Sequence, residues 1–156
     1  MTIKQIRRWA AAVAAICLLT LFLPLYGMTA FAATARIAFS DPTASVGSEI
    51  NVKMKITSSD NLSTADIMLA YDPGSLEFIE GTNAEGGNGA VRVHGDGGGA
   101  NTTTLAYDLK FKASAAGTSK ITVTSQEIYD ASSQIVTVDK QGESQVTVSA
   151  LSSASK

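Results

Sequence analysis

The sequence predicts an all-β fold: a nine-stranded, two-sheet sandwich of jelly-roll topology, preceded by a helical export signal. Three observations carry that expectation. Beyond residue 35 the apolar residues recur at every second position, the period at which side chains alternate across a sheet. Clusters of turn-forming residues separate these runs at short intervals, and no helical period follows the N-terminal segment.

The chain opens with Lys4, Arg7 and Arg8, continues without charge from Trp9 to Tyr26, and ends this segment on Ala30-Phe31-Ala32. Basic, then apolar, then small-x-small is the order of a secretory signal, and cleavage after Ala32 puts small residues at the first and third positions before the cut. An uncleaved anchor would need about 20 apolar residues; Pro24 and the small-residue exit favour cleavage, so membrane association is expected only if the segment is retained. The sole cysteine, Cys17, lies within it, which leaves the rest without thiol, disulfide or cysteine metal site. Ile16 is too bulky for the residue before a lipidated cysteine.

The clearest strand is 49–57, where Ile50, Val52, Met54 and Ile56 share one face while Asn51, Lys53 and Lys55 share the other. Shorter runs at 36–39, 66–71, 76–79, 90–94, 102–111, 120–124, 134–138 and 145–148 complete nine. Asp41-Pro42, Ser58-Ser59-Asp60-Asn61, Asp72-Pro73-Gly74 and Ala115-Ala116-Gly117 mark turns between them. Many short strands without a helix point to a sandwich or jelly roll. The segment 81–101 holds eight of the 13 glycines; a strand is expected at its centre, with Val91 and Val93 inward and Arg92 and His94 outward, between mobile loops at 85–89 and 95–100. Residues 150–156 are Ser-rich and aperiodic, a tail or the start of a linker.

All 14 acidic residues but only nine of the 12 basic ones follow the signal, so the remainder carries a net charge of −5 and nucleic acid is a poor partner. It has the length of one ordinary domain, able to bury a core without staples, and a monomer is expected. His94 is the only histidine, which leaves no His-based triad a second imidazole and suits an exposed strand end. Glycoside hydrolysis needs two facing acids about 5 to 10 Å apart; Asp66 and Asp108 could face each other only by accident of register, and no enzyme is expected. Asn83, Glu85, Asn88 and Asp96 offer oxygen ligands, but their spacing matches no calcium loop, and no Gly-Lys-Ser/Thr marks a phosphate loop. No metal or cofactor is expected.

Tyr71-Asp72-Pro73 followed by Leu76-Glu77-Phe78 resembles the turn between two early strands of a cohesin domain. Val46-Gly47 before the long alternating run, and Phe111-Lys112-Ala113 with Gly117 and Ile121-Thr122-Val123 later, agree with that family in order and spacing over residues 35–149. The stretch between Tyr71 and Phe111 is shorter than in dockerin-binding members. The resemblance implies a non-catalytic module of bacterial cell-surface or scaffold proteins, secreted or surface-associated, that captures a dockerin module in assemblies degrading polysaccharide. Relatives of the same fold bind carbohydrate instead, and a structural spacer is the third expectation. The chain lacks the Asp-rich calcium loop of a dockerin.

In the strand at 64–71, Ile67, Leu69 and Tyr71 share the core parity, leaving Thr64, Asp66, Met68 and Ala70 outward. A Met and an Ala beside an acid make a flatter surface than ordinary solvated strands carry. By resemblance this face meets the partner, with Arg92 and His94 beside it. Sugar recognition wants exposed rings; beyond the signal there is no Trp, and Tyr71 and Tyr107 have core parity, so Tyr129 is the one carbohydrate-binding candidate.

Overall fold

The structure is a computed structural model that describes residues 32–99 and 101–152. The leader, apart from Ala32, and the end of the Ser-rich tail, residues 153–156, lie outside the described residues. Ten strands form: β1 (Thr34–Phe39), β2 (Thr43–Ser45), β3 (Glu49–Ala70), β4 (Leu76–Gly81), β5 (Ala84–Gly87), β6 (Ala90–Gly95), β7 (Thr102–Ala113), β8 (Gly117–Asp130), β9 (Thr137–Gln141) and β10 (Ser144–Ser149). No described helix is long and apolar enough to cross a membrane.

The 22-residue strand β3 organises the sandwich because it belongs to both layers. Its residues 49–58 pair with β1 and β7, giving one layer in the order β9-β1-β3-β7-β4. Its residues 62–70 pair with β6 and β8, giving the second in the order β5-β6-β3-β8-β10-β2. The β1–β9 and β10–β2 pairs are parallel, and Gly81 opposite Ala84 joins the layers through β4 and β5.

The turn expected at Ser58-Ser59-Asp60-Asn61 is therefore a crossover inside one extended strand. Ile50, Val52, Met54, Ile56 and Ser58 are buried before it; Leu62, then Ala65, Ile67, Leu69 and Tyr71 are buried after it. The inward parity changes, and the register with β7 and β8 slips there, as an irregularity of the bulge type requires. Backbone groups at the crossing find partners without a turn. The Asp60 N–H donates to Ser58 Oγ, the Ala131 N–H to the Asn61 carbonyl and the Asn101 N–H to the Leu62 carbonyl.

Between the layers lies one aliphatic core in which the ring of Phe111 meets Tyr71 and Phe78 edge-on, at centroid separations of 5.2 and 5.5 Å. Tyr107, 1% exposed, donates its hydroxyl to the Gly95 carbonyl at 2.6 Å; burial first, and the charge of Asp96 second, raise its pKa. At the corner after β3 the Asp72 carboxylate accepts from the Gly74 N–H (2.9 Å) and the Ser75 hydroxyl (2.7 Å). Gly74 is not in the left-handed conformation; its use is space, since a Cβ there would sit 3.3 Å from Asp72 Oδ1.

The glycine-rich segment is more ordered than its composition suggests. Residues 84–87 form β5 rather than a loop, and Asn88 (φ 54°) with Gly89 (φ 93°) makes the two-residue hairpin into β6. Two successive positive φ values are what a type I′ turn demands, and Asn-Gly supplies them at low cost. At 95–99 Asp96 closes its own turn by accepting from the Gly98 N–H at 2.9 Å. β8 runs six residues beyond the expected strand end at 124, and the strand expected at 134–138 begins at Thr137.

Candidate docking face

Strand register assembles the outward residues of the second layer into cross-strand rows. Thr64 stands opposite Tyr129; Asp66 lies between Glu127 and His94; Met68 between Ser125 and Arg92; Ala70 between Thr122 and Ala90. Behind Arg92, on β5, stands Glu85. The six residues singled out by parity, Thr64, Asp66, Met68, Ala70, Arg92 and His94, thus share one face. Val91 and Val93 point inward and are fully buried.

The centre of this face is a closed ion pair. Arg92 reaches diagonally to Asp66 with two parallel bonds, Nε to Oδ1 at 3.0 Å and Nη2 to Oδ2 at 2.6 Å. Bidentate guanidinium–carboxylate geometry fixes both side chains in orientation as well as contact. His94 Nδ1 lies 3.4 Å from the same Oδ2. The Arg92 hydrogen bonds hold the Asp66 carboxyl below its usual range; desolvation works against this, and the charges of Arg92 and His94 add to it. Asp66 is consequently not a lone acceptor awaiting a partner: any incoming group shares it with Arg92.

Along β8 the Tyr129 hydroxyl donates to Glu127 Oε2 at 3.0 Å, and that bond, followed by the Glu127 charge, raises the tyrosine pKa. Tyr129, the carbohydrate-binding candidate, therefore lies on the same face as the protein-docking candidates. On β8, residue patterning missed Ser125 and Glu127, and it named Tyr129 only as a carbohydrate-binding candidate. A register shift between Met68 and Leu69 breaks the β8 alternation after Val123, though Glu127 and Tyr129 flanking the buried Ile128 still mark a strand.

The other chemistry considered does not assemble. Asp108 stands opposite Lys53 on the outer face of the first layer, with the core between it and Asp66. Asn83 packs its side chain against Gly95 and Asp96 is occupied by its own turn, so the glycine-rich loop residues do not converge. Among the described residues no group of three or more His, Cys, Asp or Glu side chains is placed to hold a metal ion.

The sequence matches no protein-family model and, at a significant level, no curated protein. Solved structures do match. A non-cellulosomal cohesin from the hyperthermophilic archaeon Archaeoglobus fulgidus is 21% identical, over 74% of this chain and 91% of that one, with a TM-score of 0.62. The sixth cohesin of Acetivibrio cellulolyticus scaffoldin B, solved in complex with a mutant Cel5 dockerin, is 19% identical over 74% and 99% of the two chains, TM-score 0.63. The OlpA cohesin of Clostridium thermocellum, also in a dockerin complex, is 17% identical over 74% and 99%, TM-score 0.62. With the strand order and crossover described above, these likenesses show that the chain has the cohesin fold.

Proposed function

We propose that this protein is a secreted, non-catalytic docking module that captures a dockerin-type partner on the outer face of β5, β6, β8 and residues 62–70 of β3. The observation that carries the proposal is the Asp66–Arg92–His94 cluster set beside Met68 and Ala70. Charged groups held in fixed geometry next to apolar area are how specific interfaces combine steering with burial. Similar structures solved with dockerins bound support the choice of partner. The export signal supports an extracellular or cell-surface setting, where such a module would recruit polysaccharide-degrading enzymes. Catalysis is disfavoured because Asp66 is engaged by Arg92 and Asp108 faces away on the other layer.

A sugar-binding alternative rests on Tyr129 alone, since the other described aromatic residues, Phe39, Tyr71, Phe78, Tyr107 and Phe111, belong to the core or pack against it. The deciding experiment measures binding of purified calcium-loaded dockerins, and retention on insoluble polysaccharide, for the parent protein, Asp66→Ala, Met68→Lys and a Lys140→Ala control. Dockerin binding lost in the first two variants, with unfolding temperature unchanged, supports docking. Parent-like dockerin binding in both, with polysaccharide retention abolished by Tyr129→Ala, replaces it with the sugar-binding alternative.

A further inference from the structure

At one corner of this face an apolar side chain is held in solvent. Ile135 is 68% exposed, against 42% for Ile79 on β4, which belongs to the other layer. It forms an isolated antiparallel bridge with Tyr129. Directly opposed residues of an antiparallel pair project to the same side, so the row of Thr64 and Tyr129 continues onto Ile135.

The segment presenting Ile135 is pinned on both sides. Asp130 Oδ1 accepts from the Ser132 N–H (2.8 Å) and the Gln134 N–H (2.9 Å), and the Asp130 N–H donates back to the Gln134 carbonyl at 2.9 Å. Immediately after Ile135, Val136 is buried and its N–H donates to the Ile128 carbonyl at 2.8 Å. An exposed isoleucine on a strapped turn loses little conformational freedom on binding, the condition under which an apolar contact yields affinity. On the other side of Tyr129, Glu127 accepts from the Tyr129 hydroxyl, and among the described salt bridges none neutralises it, whereas Asp66 is already paired.

We propose that Ile135 and Tyr129 form the apolar anchor of the docking face, extending it beyond β8, and that this corner takes an apolar side chain of a dockerin-type partner flanked by a Lys or Arg that reaches Glu127. This rests on the docking function proposed above. The pairing of an apolar anchor with an uncompensated carboxylate sets the partner chemistry: apolar bulk beside positive charge, as electrostatic complementarity requires.

The test uses the purified protein with each calcium-loaded dockerin of the source organism, expressed singly, and with the Cel5 dockerin. Affinity is measured by calorimetry for the parent, Ile135→Asp, Ile135→Ala, Glu127→Lys and, as a control on the other layer, Ile79→Asp; thermal unfolding is recorded for each. The expected result is a loss of ~10- to 100-fold for Ile135→Asp, a smaller loss for Ile135→Ala, and a loss for Glu127→Lys that shrinks as salt rises, with Ile79→Asp unchanged. Folded Ile135 variants that bind like the parent, while Asp66→Ala and Met68→Lys lose affinity, overturn the anchor and leave the docking face standing. Binding by no dockerin overturns both. If insoluble polysaccharide retains the protein, and Tyr129→Ala abolishes that retention while Ile135→Asp does not, a sugar platform takes the anchor's place.

Discussion

The two halves of β3 share one inward pattern and differ in everything outward. In residues 49–58 every outward side chain is exposed, and two of the charges lie opposite complementary ones: Lys53 faces Asp108, and Glu49 faces Lys112 while lying 3.9 Å from Lys110. In residues 62–70 the outward Thr64, Asp66, Met68 and Ala70 are only half exposed, flanked on both sides by β6 and β8, with Arg92 bonded to Asp66 and Tyr129 to Glu127. The first pattern is an ordinary solvated sheet, whose exposed pairs add little stability. The second is a surface packed on itself, with its side chains ordered before any partner arrives. Preorganisation of that kind lowers the entropy lost on association.

Replacing inward residues should erase the difference between the halves, because both feed one core. Leu69→Ala is expected to destabilise the fold by about 2–5 kcal/mol, measured by chemical denaturation, and Ile56→Ala should behave alike. A much smaller cost at Leu69 would mean that the second layer is loosely packed and could not hold a fixed docking face.

Outward substitutions should separate the halves. Met68→Lys is expected to weaken dockerin binding by about 1–3 kcal/mol with little change in unfolding temperature, whereas Lys55→Glu on the first layer should change neither. Equal effects on binding at the two positions would remove the distinction.

Hairpin geometry supplies a third probe. Gly89 has φ +93°, and a Cβ there would meet the Tyr71 carbonyl at 3.2 Å. Gly89→Ala should cost more than about 1 kcal/mol and, by displacing β6, also reduce binding. Gly99→Ala, with open space around its would-be Cβ, should cost less.

The smallest expected effect is on pH dependence. Asp66 has a folded pKa below its unfolded value of about 3.9, owing chiefly to its Arg92 hydrogen bonds. Its stabilising contribution is therefore complete above the unfolded pKa and is lost as pH falls through the folded one. Denaturation curves between pH 2 and 6 should show a shallower acid loss in Asp66→Asn than in the parent; parallel curves would mean that the pair is not maintained in solution.

Alternation made the fold legible wherever strands keep one face to the core, as at Ile50 to Ile56 and at Ile67 to Tyr71. It failed where a strand changes layer. Ser58 to Asn61 have the composition of a turn, yet neighbouring groups satisfy them in extended form, and only the parity change from Leu62 to Ala65 betrays the crossover. The β5–β6 hairpin was legible in principle: Asn88-Gly89 is a strong type I′ signal, obscured by the surrounding glycines. Parity made the outward direction of the β3 and β6 candidates legible, and their choice as a docking face came from the family resemblance. Parity did not reveal the β8 half of the face, because a register shift at Met68 hides that strand's period, nor the Arg92–Asp66 bond, because a diagonal contact depends on cross-strand register.

The most direct test is backbone NMR of the purified protein titrated with a calcium-loaded dockerin that binds it. Chemical-shift changes confined to residues 64–70, 85–94 and 125–135 are the predicted result. Changes centred on residues 49–57 and 104–112, the outer face of the first layer, would contradict the assignment of the docking face.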